Sequence, residues 1–340
     1  MGHMQLMLYF PAHQAQNVMA SRGSPSPRSA LRGDNPRGEF SDLVPAKDGH
    51  AVEVKRIAVI GAGIMGGGIA HVSALGGYTT CLLDLDAAFL EKGLDTIRRN
   101  LQKGVERGKV SGDEMKAALG RLTFTLDLEE AASGADLVIE AVVEDMAAKL
   151  DLFGRLDRIT PDHAILASNT SALSVTEMGG ATNRPDRVLG MHFFNPPHIM
   201  RLVEIIRGLE SSEESIGTAE EVSRGMGKET VVVNESPGFI TSRVNALVGN
   251  EAFRMLQEGV ASAEDIDTAV RLGLNHPMGP LEMVDMVGLD TRLHILEHLQ
   301  KTLGDRYRPT PIHLKHVAAG RLGRKTGRGV YTYDEQGRRK

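Results

Sequence analysis

Two side chains, His192 and Glu204, have the residue types and the spacing of an acid–base pair. His192 ends an apolar run of strand type, and Glu204 lies twelve residues later, past a proline-stiffened turn, inside the next apolar run. A turn between two adjacent strands can bring such residues together, and a carboxylate on one imidazole nitrogen raises the basicity of the other. The pair therefore predicts a general base that takes a proton from a hydroxyl group, with a purely structural His–Glu pair as the alternative.

Three further polar side chains follow the ends of predicted strands. Ser171 comes after the apolar run Ala164–Ala167 and could hydrogen-bond a substrate oxygen, although it could instead cap the helical segment that begins at Leu173. Asn169 and Asn195 could satisfy cofactor or backbone groups, or serve as turn residues. Because the carboxyl ends of parallel strands meet at one edge of a sheet, we expect these side chains to share a crevice.

The stretch from Val54 to Asp84 has the order strand, glycine turn, helix, strand. Its glycines Gly61, Gly63 and Gly66 have the G-x-G-x-x-G spacing. The first glycine permits a tight turn, the second lets a pyrophosphate approach the backbone, and the third lets the helix pack closely on the strand. An ordinary glycine loop is the alternative, but the flanking strands and the terminal acid complete the pattern of a dinucleotide-binding site.

The ends of this unit indicate which dinucleotide is bound. The first helical residues, Ile64 and Met65, belong to a helix N-terminus that offers unpaired N–H groups and partial positive charge to the phosphates. Asp84 would accept hydrogen bonds from the ribose hydroxyls and repel a 2′-phosphate, and no Arg or Lys follows it before Lys92. We therefore predict NAD rather than NADP, with FAD as the competitor. His192 would take the proton while hydride leaves the same carbon.

Two pairs of charged residues lie where a ligand could bind. The predicted helix Phe89–Arg107 places Lys103 and Arg107 four residues apart on one face, an anion site that suits a phosphate-bearing substrate. Glu144 and Lys149 follow a short apolar run, at a strand end of the kind where open parallel sheets bind ligands. A solvated helix surface is the alternative for both pairs.

The composition is that of an ordinary globular protein and excludes several classes. Of 340 residues, 41% are hydrophobic and 24% are charged, and the net charge of −5 argues against a general nucleic-acid binder. No apolar run reaches the roughly 18 residues of a membrane helix, and the single cysteine, Cys81, cannot form an internal disulfide. We therefore expect a cytoplasmic protein without membrane or nucleic-acid partners, and we predict no metal site.

The chain divides into three predicted regions. Residues 1–51 lack a periodic apolar pattern and are predicted to be a disordered extension, with a transit peptide as the alternative. Residues 52–237 combine strand and helix patterns, whereas residues 238–334 hold almost only helical ones. The predicted fold is a Rossmann-type, doubly wound α/β sheet domain followed by an all-α C-terminal domain, whose apolar helix faces favour a homodimer.

The apolar runs place the main elements of these regions. Beyond the glycine unit, strands are predicted over Leu137–Ile139, Ala164–Ala167, Val188–Met191, Val203–Ile206 and Thr230–Val233. In the C-terminal region, helices are predicted over Ile240–Gln257, Ala263–Leu272, Pro280–Met286 and Leu289–Leu303.

Six segments agree in order and spacing with one known family. They are GAGIMGGGIA, SNTSALSVTE, GMHFFNPPHIMRLVEII, SPGFI, EDIDTAVRLGLNHPMGPLEMVDMVGLD and GRKTGRGVYTY. Together they resemble the 3-hydroxyacyl-CoA dehydrogenases, above all the short bacterial 3-hydroxybutyryl-CoA type, over residues 54–334. The resemblance implies oxidation of an (S)-3-hydroxyacyl-CoA to the 3-oxoacyl-CoA with NAD, or the reverse reaction.

The resemblance also implies a role for each candidate residue. His192 would be the catalytic base and Glu204 its partner, while Ser171 would contact the substrate hydroxyl and Asp84 the adenosine ribose. The implied further NAD contacts are Glu144, Lys149, Asn195 and Lys325. The implied CoA phosphate contacts are Lys103 and Arg107, of which the arginine stands where some members have lysine.

One position departs from the family pattern. Many members have asparagine near the substrate carbonyl in PGF-x-x-N-R, and here the segment reads PGFITSR, so that Ser242 occupies that place. Serine is shorter and offers a hydroxyl in place of an amide. It would act through a water, or the nearby Asn245 would help, or the contact is dispensable. We expect Ser242 to make a modest contribution to activity.

Two other functions are compatible with the sequence. One is an NAD enzyme of the same fold that acts on a non-CoA hydroxy acid, which would not need Lys103 and Arg107. The other is a non-catalytic structural relative, against which the presence of His192, Glu204 and Ser171 argues. The sequence leaves the acyl-chain length, the favoured direction and the pathway open.

Overall fold

The computed structural model of the protein describes residues 53–340, so the extension predicted over residues 1–51 lies outside the described residues. Eight strands form one sheet: β1 (Arg56–Ile60), β2 (Thr79–Leu83), β3 (Leu122–Thr125), β4 (Leu137–Glu140), β5 (Ile165–Ser168), β6 (Val188–Phe193), β7 (Leu202–Arg207) and β8 (Glu229–Asn234). Their order across the sheet is β3-β2-β1-β4-β5-β6-β7-β8, and every neighbouring pair is parallel except β6 and β7. The strand order reverses between β1 and β4, which is where such sheets bind ligands.

Strand β1 shows why the sheet is buried on both faces. Its residues Ile57, Ala58, Val59 and Ile60 are all at most 2% exposed. Ile57 and Val59 belong to one apolar cluster and Ala58 and Ile60 to another, because successive side chains of a strand point to opposite faces. Both faces of the sheet are therefore covered, which is why the strands read as unbroken apolar runs in the sequence.

Twelve helices occur within the described residues. Seven lie among the strands: α1 (Ile64–Leu75), α2 (Ala87–Glu106), α3 (Gly112–Gly120), α4 (Leu128–Ala132), α5 (Met146–Ile159), α6 (Val175–Gly180) and α7 (Glu213–Gly225). Five follow the last strand: α8 (Thr241–Glu258), α9 (Ala263–Gly273), α10 (Pro280–Val287), α11 (Leu289–Leu303) and α12 (Pro311–Ala318). The predicted fold class, a Rossmann-type sheet followed by a helical half, is confirmed. Over residues 53–340 no helix is both long and apolar enough to span a bilayer.

The apolar pattern missed one strand and several short helices. Strand β3 lies at the edge of the sheet, where Leu122 and Thr125 are buried but Thr123 is exposed, so its four residues give no apolar run. Helix α3 begins with a capping box, in which Ser111 and Glu114 each bond the other's backbone N–H. The capping box is visible in the sequence, but it marks only the start of a helix, whereas the helices were predicted from apolar periodicity.

A buried carboxylate holds the end of the chain against the helical half. Asp285 accepts hydrogen bonds of 2.9 Å from the backbone N–H groups of Val330 and Tyr331 and from the hydroxyl of Tyr333. Burial raises the pKa of Asp285, and these three donors act against that shift. The segment that follows the last helix is thereby pinned beside α10.

The close approach of α1 to the glycine turn gives a stability prediction. A Cβ at Gly66 would lie 1.7 Å from the carbonyl oxygen of Gly61, whereas at Gly67 the nearest atom is 3.8 Å away. We expect Gly66→Ala to lower the free energy of unfolding by about 3 kcal/mol, because overpacking forces the backbone to move. Gly67→Ala, the matched control in the same helix, should be neutral or slightly stabilising. Urea unfolding compares the two, and equal stabilities would contradict this packing.

Candidate active site

His192 and Glu204 face each other across the antiparallel pair β6–β7. The register of the sheet places them directly opposite, and His192 Nδ1 lies 2.7 Å from Glu204 Oε2. This distance suits a ring N–H that donates to a carboxylate, which leaves Nε2 as the proton-accepting nitrogen of the neutral ring. Glu204 is completely buried and His192 is 6% exposed. The contact predicted from their spacing is confirmed.

The carboxylate of Glu204 has a second partner that the sequence analysis missed. Thr241, the first residue of α8, donates its backbone N–H to Oε1 at 3.0 Å and its hydroxyl to Oε2 at 3.2 Å. Together with His192, these donors satisfy a charge that burial would otherwise make costly. Thr241 lies 37 residues beyond Glu204, so no local spacing relates the two residues.

Ser171 lies on the other side of the imidazole. Its Oγ is 3.2 Å from His192 Nε2, the nitrogen that Glu204 leaves free. The rings of Phe194 and Phe239 have their centroids 4.6 and 5.8 Å from that of the imidazole. The nearby helix α6 is capped by Ser174, so the alternative role of Ser171 as its cap does not apply. The proton-accepting nitrogen therefore meets a hydroxyl group beside two aromatic rings.

An ionic cluster at the ends of β4 and β5 holds Ser171 in turn. Glu144 Oε1 accepts hydrogen bonds from the Ser171 backbone N–H at 3.0 Å and from the Thr170 hydroxyl at 2.5 Å. The ammonium of Lys149 lies 3.4 Å from Glu144 and 2.5 Å from Glu140. Lys149 and Glu140 are at most 1% exposed, which rules out a solvated helix surface for Lys149 and makes it a buried counter-ion.

The glycine turn has the shape that a dinucleotide needs. Gly61 has a φ of +104°, a conformation that favours glycine, and a Cβ at Gly63 would meet no atom within 4 Å. Asp84 Oδ2 accepts a hydrogen bond from the Ala62 backbone at 2.7 Å, and Oδ1 accepts one from the Leu85 backbone at 2.8 Å. The open backbone at Gly63 fits a pyrophosphate, and the oriented carboxylate at the end of β2 fits a ribose.

A cleft of about 400 Å³ opens beside this turn, between α1, α2 and the turn that follows β6. Lining residues that the sequence analysis did not assign to a site include Phe89, Asn100, Pro197 and His198. Lys103 is exposed in the last turn of α2, Arg107 is exposed just after that helix ends, and neither residue lines the cleft. Burial lowers the pKa of His198, and the positive charges of Lys228 and Lys103 lower it further.

The remaining predicted residues lie apart from the imidazole. Asn169 accepts a hydrogen bond of 2.9 Å from the backbone of β6, which joins the ends of β5 and β6. Asn195 is exposed in the turn after β6, and Ser242 is half-buried in the first turn of α8. Lys325 pairs with Asp290 at 2.6 Å in the helical half. Across residues 53–340, no group of three or more His, Cys, Asp or Glu side chains could hold a metal ion.

The buried pair Lys149–Glu140 allows a structural role to be separated from cofactor binding. We expect Lys149→Met to lower the free energy of unfolding by about 3–5 kcal/mol, because it leaves the Glu140 carboxylate buried without a counter-charge. The double variant Glu140→Gln, Lys149→Met removes both charges and should recover most of this loss. Urea unfolding measures stability and NADH fluorescence measures affinity. A stable Lys149→Met protein with weakened NADH binding would show a cofactor contact instead.

Comparison with known proteins identifies the same family for both halves of the chain. Residues 56–236 match the 3-hydroxyacyl-CoA dehydrogenase NAD binding domain, and residues 238–333 match the C-terminal domain of the same family. The chain is 49% identical over 286 residues to the probable 3-hydroxybutyryl-CoA dehydrogenase of Bacillus subtilis, with 84% of this chain and 99% of that protein covered. It is 46% identical over 279 residues to the probable 3-hydroxybutyryl-CoA dehydrogenase of Deinococcus radiodurans, with 82% and 100% covered.

A solved structure agrees as well. The (S)-3-hydroxybutyryl-CoA dehydrogenase from Ralstonia eutropha matches with a TM-score of 0.80 and 40% identity, covering 83% of this chain and 100% of that one. The resemblance inferred from the sequence segments and the prediction of NAD are thereby confirmed. The chain belongs to the 3-hydroxyacyl-CoA dehydrogenase family of NAD-dependent oxidoreductases.

Proposed function

We propose that the protein oxidises an (S)-3-hydroxyacyl-CoA, with 3-hydroxybutyryl-CoA as the expected substrate, to the 3-oxoacyl-CoA, and that it catalyses the reverse reduction. The observation that carries the proposal is the position of His192 Nε2, which faces the Ser171 hydroxyl at 3.2 Å while Glu204 occupies Nδ1 at 2.7 Å. Dehydrogenation of an alcohol needs a base within hydrogen-bond reach of the hydroxyl group that loses its proton. The relatives from Bacillus subtilis and Ralstonia eutropha carry names for this reaction, which supports the substrate.

In the oxidation, the side chains of the site handle the hydroxyl proton. The neutral ring of His192 accepts the proton at Nε2, and the Glu204 carboxylate stabilises the resulting imidazolium through Nδ1–H. The hydroxyl of Ser171, next to Nε2, hydrogen-bonds the substrate oxygen and orients it. Bound NAD supplies the acceptor for the hydride that leaves the same carbon. In the reduction, the imidazolium returns its proton to the carbonyl oxygen.

The residues that would hold NAD are those of the glycine turn and the neighbouring strand ends. The open backbone at Gly63 and the N–H groups of Ile64 and Met65 suit the pyrophosphate, because the helix N-terminus offers unpaired donors. Asp84, already oriented by two backbone donors, suits the adenosine ribose. The further proposed contacts are Glu144, Asn169, Asn195 and Lys325, whereas Lys149, which the sequence analysis also assigned to NAD, is buried and would act only through the Glu144 carboxylate that it faces.

Positive charge beside the cleft supports a CoA ester over a free hydroxy acid. Lys92 lines the cleft, Lys103 lies in the last turn of the same helix, α2, and Arg107 caps the end of that helix. CoA carries phosphates that such cations recognise, whereas a small hydroxy acid carries none. A non-CoA hydroxy acid remains the second candidate substrate, and it predicts that these cations are dispensable.

We also propose a homodimer formed through the helical half. Large apolar side chains that are between 43% and 70% exposed occur there, namely Ile240, Val244, Leu272, Leu274 and Met286. Apolar surface left uncovered in one chain of a globular protein is typical of a protein–protein interface. A second copy of the chain is the partner that we expect.

The central test of the proposed function is turnover of acetoacetyl-CoA with NADH, followed by the loss of NADH absorbance. We expect His192→Gln to lower kcat by roughly 10²–10⁴-fold, because the variant lacks the group that exchanges the proton. NADH affinity, measured by fluorescence, should not change. Native protein that leaves acetoacetyl-CoA untouched but oxidises free 3-hydroxybutyrate would favour the non-CoA substrate.

Ser242→Ala is the matched comparison for His192→Gln. Ser242 lies at the start of α8 near Thr241, and no hydrogen bond of its side chain occurs within residues 53–340. We expect a loss of activity of only a few-fold, on the order of one neutral hydrogen bond. If Ser242→Ala lost as much activity as His192→Gln, the modest role assigned to this serine would be wrong.

The dimer prediction concerns the mass in solution. Light scattering during size exclusion should give twice the mass of the chain. Met286→Lys should shift the protein towards the monomer, because it places a charge on the proposed apolar interface. Glu297→Lys, a change at an exposed and already polar position of α11, is the control. A native protein that runs with the mass of one chain would contradict the dimer.

A further inference from the structure

Glu204 accepts three hydrogen bonds, and two of them come from Thr241. The Thr241 backbone N–H reaches Oε1 at 3.0 Å, and its hydroxyl reaches Oε2 at 3.2 Å. Oε2 is also the oxygen that lies 2.7 Å from His192 Nδ1. The backbone contact already anchors the carboxylate to the start of α8. The hydroxyl therefore adds a second donor to the same oxygen that serves the imidazole.

We propose that Thr241 is a positioning residue that sets the proton affinity of His192, because its hydroxyl shares Oε2 of Glu204 with the imidazole. A carboxylate oxygen that accepts a second hydrogen bond offers less negative charge to the ring. The ring then holds its proton less strongly and returns more readily to the neutral form that takes the hydroxyl proton. This inference rests on the proposed roles of His192 and Glu204.

The other charged groups near the pair are engaged with neighbours of their own. Arg243, two residues after Thr241, donates to the hydroxyls of Tyr307 and Ser236 at 3.0 and 3.3 Å. The carboxylate of Glu235 accepts from Ser174 and Thr176, and that of Glu144 accepts from Thr170 and Ser171. Strand β8 presents the apolar Val231 opposite Glu204. Removal of the Thr241 hydroxyl breaks none of these contacts, so its effect reaches His192 through Glu204.

Thr241→Val tests the inference, because valine has the shape of threonine and keeps the backbone N–H but lacks the hydroxyl. Thr241→Ser keeps the donor and is the matched control. NMR of ¹⁵N-labelled imidazoles in the full-length protein, without substrate, gives the titration midpoint of His192, whose signals are identified by their absence in His192→Gln. We expect the midpoint of the valine variant to rise by about half a pH unit. A shift of that size corresponds to a part of the free energy that one hydrogen bond to a charged group contributes. The serine variant should titrate near the native midpoint.

The pH dependence of kcat/KM for oxidation of 3-hydroxybutyryl-CoA is the second readout. Its acidic limb reports the neutral base, so it should move to higher pH in Thr241→Val and stay in place in Thr241→Ser. The KM for NAD should not change in either variant. If the valine variant does not fold, Thr241→Ala, which also lacks the hydroxyl, takes its place in both measurements.

Two outcomes would overturn the inference. One is a His192 midpoint in the variant without the hydroxyl that equals the native value or lies below it. The other is a serine variant that titrates like the valine variant. Failure of the native protein to turn over any acyl-CoA would overturn the proposed function instead. The NMR midpoints would still decide whether the Thr241 hydroxyl acts on His192.

Discussion

The carboxylate of Glu204 is completely buried, and it lies 2.7 Å from the imidazole of His192. An ionised group in such a place costs several kcal/mol unless charge and hydrogen-bond partners surround it. The partners come from separate parts of the chain, because His192 lies on β6 and Thr241 begins α8. The antiparallel pairing of β6 with β7 and the entry into the helical half must therefore both be in place before this charge is satisfied. The acid–base pair is complete only in the assembled fold.

On the opposite side of the imidazole, the arrangement depends on a second buried carboxylate, that of Glu140. Glu140 accepts the Ser168 hydroxyl at 2.6 Å and the Lys149 ammonium at 2.5 Å, and Lys149 also faces Glu144. Glu144 then orients the backbone of Ser171, whose hydroxyl meets His192 Nε2. The Glu204 carboxylate thus holds one side of the ring directly, and on the other side Glu144 orients the serine whose hydroxyl meets the ring. Pre-orientation of this kind lowers the reorganisation that a proton transfer requires.

At the proposed cofactor site a carboxylate is also held in place by hydrogen bonds, and here the donors are backbone N–H groups. Asp84 is oriented by the N–H groups of Ala62 and Leu85, so its carboxylate is held by the turn that it serves. Gly66 packs against Gly61 so closely that no side chain fits between α1 and the turn. The acid proposed to bind the ribose and the turn proposed to bind the phosphates are therefore held to each other by hydrogen bonds and close packing.

The features that could be predicted from the sequence are those that depend on residues close together in the chain. The sheet follows from unbroken apolar runs such as Ile57–Ile60, because strands buried on both faces need no polar alternation. The contact of His192 with Glu204 was predicted from two polar residues on successive apolar runs joined by a proline-containing segment, and the antiparallel register of β6 and β7 places them opposite each other. The glycine turn and Asp84 indicated NAD, and the family segments added the expected class of substrate.

Burial and long-range partners were decided by the tertiary structure. In the sequence, Lys149 is compatible with a surface lysine of a first helical turn. In the fold it is buried beside Glu140, because β4 and α5 pack together there. Thr241 has no local signal, because its partner lies 37 residues away on another element. Cleft residues such as His198 lie in a turn whose neighbours, α1 and α2, come far earlier in the chain, before β3. Residue type and spacing therefore predicted seven of the eight strands, the glycine turn and the contact between His192 and Glu204. The environment of each charge depended on which elements meet, and a linear pattern does not contain that information.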